Sequence, residues 1–211
     1  NNIENINYTN RKDVLFKSKK LSGKILNNEF LYENENIIYT DRKGNVYVYS
    51  INNNAEIFQY NFYKKKYKRI NKILNIVVKS NIIYVADNLG FVYALNYETN
   101  KIIWAKKIGI PIKSNLKIFE DQLFIATDTN KVFSLNIYDG STIWDFFSAT
   151  ADIQQQDKNN FAIDKFGNLI FFNTNNSLYV WNLSENRISW ITDLKVFSID
   201  KNKITKFEPV T

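Results

Sequence analysis

The chain has 211 residues, a formal net charge of +7, and neither cysteine nor histidine. Without cysteine it cannot form disulfides, use a thiol nucleophile or hold a metal through thiolates, and without histidine it cannot be a Ser-His-Asp hydrolase or a histidine-ligated zinc enzyme. Hydrophobic residues make up 45% of the chain, which allows a large core, and no apolar run is long enough to predict a membrane-spanning helix.

One pattern recurs four times along the chain. It consists of a β-branched and aromatic run, a polar turn, a second such run, another polar turn and a closing aromatic residue. The second run begins 12 positions before the closing aromatic in every copy: 46–58, 92–104, 132–144 and 178–190. This constancy indicates a repeat protein.

Each copy predicts a small antiparallel meander. In the second copy, residues 82–86 are too few for a stable helix and are rich in residues that suit strands. Asp87 can bond its own backbone and Gly90 can take a positive φ, so a turn follows. A second turn leads to the strand of Trp104, and we expect a fourth strand in the linker at 110–118.

The repeats follow one another without a linker that would mark a domain boundary. They occupy about 35–75, 76–118, 119–162 and 163–194, so residues 1–211 are expected to form one domain. The lead-in 1–34 is expected to add outer strands to the first repeat, and the tail after 194 a further strand pair. Asp41, Asp87 and Asp128 recur in register with the turns, which favours a structural role over catalysis.

The predicted sheets are apolar on both faces, so each must be covered by its neighbours. This favours an all-β propeller of four-stranded antiparallel blades, with Trp104, Trp144 and Trp190 packed between blades. About four to five blades predict a partial ring, whose open ends favour self-association or a complementing chain. The alternatives fit less well, because a β-sandwich needs no repeated closing aromatic and solenoid repeats are usually shorter.

The basic cluster at 64–69 has two interpretations. It could bind nucleic acid or anionic lipid, or it could flank a strand and discourage edge aggregation. The second interpretation is favoured because the whole chain is rich in lysine, and no nucleic-acid partner is expected.

Residues 84–104 resemble the pyrroloquinoline-quinone-type (PQQ-like) propeller repeat, with its aspartate-to-glycine turn, tyrosine-alanine-leucine strand and closing tryptophan. Asn100 stands where that family usually has glycine, whereas Gly140 keeps it. The resemblance extends over about 35–194. WD40 repeats fit less well, because their Gly-His pair cannot occur in a chain without histidine.

Within that superfamily, residues 104–114 and the Trp144 repeat resemble the BamB family of outer-membrane assembly lipoproteins. Members of that family have eight blades and need roughly twice this length, so the resemblance implies that this chain forms a partial ring. It also implies a periplasmic scaffold that binds BamA and unfolded barrel proteins, and that meets the membrane only through a lipid anchor upstream of this chain. A cytoplasmic location is the alternative.

The resemblance also suggests where a partner binds. In that family a loop after a blade-closing tryptophan carries much of the BamA contact. The matching loop here contains Phe146, Phe147, Ile153, Gln154 and Gln155. A second candidate segment, one blade earlier, contains Ile110, Ile112 and Lys113.

Two other functions remain open. The chain could be a propeller adaptor or sensor domain with another partner, or a fragment of a quinone-dependent dehydrogenase. An enzyme is disfavoured because the vicinal cysteine pair of many such dehydrogenases cannot occur and no acidic cluster has calcium-loop spacing. No catalytic, cofactor-binding or metal-binding residue is therefore predicted.

Overall fold

The computed structural model describes residues 17–23, 30–63, 67, 69–148, 161–173 and 177–193. These residues form sixteen β-strands in four sheets of four. Among them, no helix is long and apolar enough to cross a membrane.

Each sheet is an antiparallel meander whose strands pair in chain order. We call the sheets blades 1 to 4. Blade 1 contains β1 (Leu31–Glu33), β2 (Asn36–Thr40), β3 (Asn45–Ser50) and β4 (Ala55–Asn61). Blade 2 contains β5 (Leu74–Lys79), β6 (Ile82–Asp87), β7 (Phe91–Asn96) and β8 (Lys101–Lys107). Blade 3 contains β9 (Lys117–Phe119), β10 (Gln122–Ala126), β11 (Lys131–Asn136) and β12 (Thr142–Phe147). Blade 4 contains β13 (Phe161–Ile163), β14 (Asn168–Phe172), β15 (Ser177–Asn182) and β16 (Arg187–Asp193). The fold is the predicted partial propeller.

The first strand of each blade lies innermost and the fourth lies outermost. β1 contacts β5 and β9 contacts β13, whereas the fourth strands are the most exposed of their sheets. The expected strand at 110–118 is therefore only partly correct. Its end forms β9, the first strand of the following blade, and Ile112 makes only an isolated bridge to Thr127.

Every blade has the same irregularity beside its closing aromatic. The aromatic pairs with a residue of the third strand, and the register shifts immediately after that residue, which marks a β-bulge. The pairs are Phe58 with Val48, Trp104 with Ala94, Trp144 with Ser134 and Trp190 with Val180. A bulge re-aims the side chains around it, so this repeated feature keeps the closing aromatics in equivalent positions.

The closing aromatics pack on the following blade at the three blade interfaces of the described residues. Phe58 belongs to one buried cluster with blade 2. Trp104 is 8% exposed, and its indole Nε1–H donates to the carbonyl oxygen of Ile137 at 2.8 Å. Trp144 stacks on Trp181 of blade 4, with ring centroids 4.5 Å apart. The predicted interface role of Trp104 and Trp144 is thus confirmed.

The same prediction is wrong for Trp190, which is 48% exposed. Its strand is the outermost strand of blade 4, and no further blade is present among the described residues to cover it. Position in the repeat therefore sets the direction of the side chain, while burial depends on a following blade.

The turn before each closing aromatic needs a residue in the left-handed region. Asn100 has a φ of 54° and Gly140 a φ of 72°. Asparagine tolerates this conformation better than most residues, which explains its place in the repeat. Gly140 has a second constraint, because a Cβ there would lie 2.6 Å from Cε3 of Trp104.

The turns between the second and third strands of the blades show that one of the three predicted turn aspartates, Asp128, was placed wrongly in the repeat. Asp41 and Asp87 each accept two backbone N–H bonds through Oδ1, as predicted for turn residues. In blade 3, however, the equivalent acceptor is Thr127, whose Oγ1 accepts from the backbone N–H of Lys131 at 3.1 Å. Asp128 lies one residue further on, so its assignment to the recurring turn position was wrong.

Trp104→Ala is expected to lower the free energy of unfolding by about 3–5 kcal/mol, because it leaves a cavity and an unpaired carbonyl at Ile137. Trp190→Ala removes the same residue at the same repeat position, yet should cost at most about 1 kcal/mol because the side chain is half exposed. Urea unfolding of both variants in dilute protein measures the difference. Equal losses would contradict the described blade interfaces.

Candidate protein-interaction surface

One end of the propeller collects the segments that join the blades. Each connection leaves the outermost strand of one blade and returns to the innermost strand of the next. The described residues of these connections bond to the turns at 41–44, 87–90 and 127–130. We call this end the connection face. The described residues of both predicted partner-binding segments lie at it.

The connection from blade 2 to blade 3 is tied to both blades by backbone bonds. The backbone N–H of Ile112 donates to the carbonyl of Asp87 at 3.2 Å, and that of Lys113 donates to Ala126 at 3.1 Å. Ser114 Oγ accepts from the backbone N–H of Ala126 at 2.8 Å. The segment therefore has a fixed path across the blade interface.

The three predicted residues of this segment have different environments. Ile112 is 1% exposed and belongs to the core between blades 2 and 3, so it cannot contact a partner without local opening. Ile110 and Lys113 are half-buried. The backbone of Ile110 crosses so close to Gly90 that a Cβ there would lie 2.7 Å from its nitrogen. Only Ile110 and Lys113 offer surface to a partner.

Phe146 and Phe147 lie in β12 rather than in a loop, so the predicted loop begins later than expected. Strand alternation sends their rings in opposite directions. Phe146 faces blade 4, with its ring centroid 5.4 Å from that of Trp181 and 5.6 Å from that of Tyr179. Phe146 is therefore part of the packing between blades 3 and 4.

Phe147 is the exposed member of the pair, at 57%. It lies opposite Lys131 in the strand register, and Lys131 forms a 2.7 Å ion pair with Asp145. This surface combines an aromatic ring with charged neighbours near the connection face. The exposure of Phe147 could have been predicted by counting from Trp144. The second residue after the closing aromatic, Phe146, faces the blade interface, and the third, Phe147, faces solvent.

The remaining predicted residues, Ile153, Gln154 and Gln155, lie outside the described residues. Phe147 is therefore exposed at the end of β12, and Ile110 and Lys113 are half-buried in the connection between blades 2 and 3, at the same face of the propeller. Phe146 and Ile112 are packing residues.

Asp87 is the most buried charged group of the connection face, at 0% exposure. Its Oδ2 accepts from the hydroxyl of Tyr63, in the preceding connection, at 2.6 Å. Burial raises the pKa of Asp87 and outweighs the hydrogen bonds that lower it. Burial and the neighbouring Asp87 also raise the pKa of Tyr63. The pair joins a connection to a turn and is a structural contact.

Among the described residues, no three aspartate or glutamate side chains converge in a way that could hold a metal ion. The features that distinguish the connection face are thus a fixed backbone and partly exposed apolar and basic side chains. Such a surface suits protein recognition.

Asp87→Asn should change how stability depends on pH. A raised native pKa means that the folded chain binds a proton more readily than the unfolded chain, so wild-type stability should rise relative to Asp87→Asn as pH falls from 7 toward the ordinary value of 3.8. Urea unfolding at several pH values measures this difference. A wild-type free energy of unfolding that falls relative to that of Asp87→Asn as the pH is lowered would contradict the raised pKa.

Phe146→Ala and Phe147→Ala form a matched pair on adjacent residues. Phe146→Ala should cost about 2–3 kcal/mol of unfolding free energy through lost interface packing. Phe147→Ala should stay within about 0.5 kcal/mol of wild type, as for an exposed site. Chemical denaturation distinguishes them, and a larger loss for Phe147→Ala would reverse the assigned directions of the two rings.

The repeated four-stranded blades, the closing aromatics and the PQQ-like turn pattern define the class: the chain is a PQQ-like β-propeller. A family model described as outer membrane protein assembly factor BamB matches residues 42–198. Because this match spans well over half of the chain, the chain belongs to the BamB family.

One curated relative agrees with this assignment. It is the outer membrane protein assembly factor BamB of Salmonella typhimurium, 28% identical over 81 residues. The alignment includes 34% of this chain and 21% of that protein. The similarity is therefore local and covers a minor part of the relative.

Solved structures are similar in fold. The crystal structure of BamB from Moraxella catarrhalis superposes with a TM-score of 0.63 at 16% identity, over 82% of this chain and 51% of that chain. The computationally designed Ika4 protein gives a TM-score of 0.61 at 11% identity, over 82% of this chain and 99% of that one. This chain thus spans about half the length of the solved BamB.

Proposed function

We propose that this chain is a non-catalytic scaffold of outer-membrane β-barrel assembly, which binds BamA and nascent barrel proteins. The family match over residues 42–198 is the observation that carries the proposal. The fold supports it, because stacked blades hold the connection face in one shape and a scaffold must present a surface without rearranging it.

The proposed location follows from the same family membership. The scaffold would work at the periplasmic face of the outer membrane, held there by a lipid anchor upstream of residue 1. The absence of cysteine and histidine from the sequence is compatible with a binding role, because recognition of a protein surface requires neither.

We place the BamA contact on the connection face around Phe147, Ile110 and Lys113, continuing into Ile153, Gln154 and Gln155. Exposed aromatic side chains are frequent sources of binding energy, and Phe147 is the exposed aromatic of this region. Lys113 adds a positive charge one blade away. Phe146 and Ile112 support this surface through packing rather than contact.

Binding of purified BamA periplasmic domains, measured by biolayer interferometry, tests the proposal. Replacing Phe147 and Ile153 by alanine together should weaken binding at least about tenfold, because two apolar side chains of the proposed contact are lost. Phe166→Ala is the matched control, since Phe166 is 74% exposed but lies in the turn between β13 and β14, at the opposite end of the blades.

The outcomes separate function from location. If the wild-type chain does not bind BamA, the proposed function is wrong. If it binds but the double variant binds equally well, or if Phe166→Ala is the damaging change, the function stands and the placement on the connection face is wrong.

A further inference from the structure

The connection from blade 1 to blade 2 differs from the next connection in what it leaves exposed. Ile70 and Ile73 are 44% and 42% exposed. In the connection from blade 2 to blade 3, Ile112 is 1% exposed, and Ile108 and Ile110 are half-buried. Packing within the described part of the chain therefore accounts for the isoleucines of the second connection but not for those of the first.

The backbone beside the two exposed isoleucines is fixed by hydrogen bonds to two blades. The backbone N–H of Lys72 donates to the carbonyl of Arg42, in the turn of blade 1, at 3.2 Å. In the turn of blade 2, the backbone N–H of Asn88 donates to the carbonyl of Ile73 at 3.2 Å, and its Oδ1 accepts from the N–H of Ile73 at 2.9 Å. The side-chain amide of Asn88 also donates to the carbonyl of Asn71 at 3.1 Å. The isoleucines are therefore presented on a bridge between two blades.

Three cations accompany the isoleucines. Arg69 precedes Ile70, and Arg42 and Lys43 lie in the turn to which Lys72 bonds. All three are exposed, and the ion pairs of the described residues involve none of them. We call this set the basic patch: Arg42, Lys43, Arg69, Ile70 and Ile73.

The acidic side chains of the two adjoining turns are buried. Asp41 is 2% exposed, and its oxygens accept hydrogen bonds from its own turn and from the hydroxyl of Tyr47 at 2.9 Å. Asp87 is fully buried and bonded to Tyr63. Lys72, at 2% exposure, is also buried, with its ammonium group 5.3 Å from the ring centroid of Tyr63. The charged groups that the patch presents to solvent are therefore all positive.

We propose that the basic patch binds an acidic segment of a partner protein, one that carries both carboxylates and aliphatic side chains. The carboxylates would pair with Arg42, Lys43 and Arg69, and the aliphatic side chains would cover Ile70 and Ile73. The charge complementarity is specific, because an arginine guanidinium can bind a carboxylate through two parallel hydrogen bonds.

Two features favour a protein segment over an anionic membrane or a nucleic acid. Ile70 and Ile73 keep more than half of their surface covered, so they project too little to insert among acyl chains, where larger side chains such as Trp, Phe and Leu are typical. A nucleic acid would leave the isoleucines uncovered, because phosphates pair with cations and bases stack on aromatic rings.

The patch lies on the connection face but is separate from the proposed BamA contact. The turn at 87–90 bonds to both connections, through Asn88 to the first and through Asp87 and Gly90 to the second, which contains Ile110 and Lys113. The patch is thus a second contact, on the other side of this turn, and it does not depend on binding of BamA.

Fluorescence polarisation with three labelled synthetic peptides of equal length tests the proposal. The first contains aspartate, glutamate and leucine, the second has serine in place of every leucine, and the third has lysine in place of every acidic residue. The wild-type chain should bind the first peptide at least about tenfold more tightly than either of the others, because only the first supplies both carboxylates and aliphatic side chains.

Paired substitutions test the location of the contact. Arg42→Glu together with Arg69→Glu should weaken binding of the first peptide at least about tenfold, because attraction becomes repulsion. Ile70→Ser together with Ile73→Ser should weaken it at least about threefold through lost apolar contact. Circular dichroism and thermal melting confirm that the variants fold, and the comparison of peptides needs the wild-type chain alone.

Lys101→Glu together with Lys165→Glu is the matched control. It changes the net charge by the same amount, using exposed lysines at the opposite end of the blades, where Lys101 begins β8 and Lys165 lies between β13 and β14. At physiological salt, charges more than about 8 Å away are largely screened, so binding of the first peptide should change less than about twofold.

Three results would overturn the proposal: equal binding of the leucine and serine peptides, unchanged binding in folded Arg42→Glu with Arg69→Glu, or an equal loss in the lysine control. Phosphatidylglycerol vesicles and an oligothymidylate are the competing probes. Binding of either that is tighter than peptide binding and is lost in the arginine variant would assign the patch to a membrane or a nucleic acid instead. None of these measurements uses BamA, so this inference and the proposed function fail separately.

Discussion

The packing of the closing aromatics Phe58, Trp104 and Trp144 on the apolar face of the following blade is the interaction on which this structure depends. A blade with two apolar faces cannot remain alone in water, and the fold exists because neighbouring blades cover one another. The bulge beside the aromatic, the left-handed turn residue before it and the hydrogen bond from Trp104 to Ile137 all serve this contact. Trp104 is buried and the half-buried Trp144 stacks on Trp181, whereas Trp190 is exposed, so equivalent positions show this contact both present and absent.

The same contact shapes the surface available for binding. Since the blades are held together near their outer strands, the connection between blades 2 and 3 has a fixed path, as the backbone bonds of residues 108–113 show. The buried pair of Asp87 and Tyr63 adds a polar contact between a connection and a turn. Side chains on the connection face, such as Phe147 and Lys113, are therefore presented by a rigid support. This is the property that a scaffold of the BamB family would need.

Much of this fold could be predicted because the repeat encodes it locally: strand runs, turn residues and a closing aromatic at constant spacing. The remaining features depend on non-local neighbours. The linker strand belongs to the following sheet, which only the pairing of β9 with β10 reveals. Thr127 replaces aspartate as turn acceptor because a hydroxyl can accept the same backbone bond. For the site, Phe147 was predictable by alternation, whereas the burial of Phe146 and Ile112 depends on partners in other blades.

Exchange of the indole N–H protons with deuterium, followed by NMR in dilute protein, tests the central contact most directly. The account predicts that the indole proton of Trp104 exchanges only upon substantial unfolding, because it is buried and bonded to Ile137, and that the indole proton of Trp190 exchanges rapidly. Rapid exchange at Trp104, or equal protection at both positions, would contradict the account.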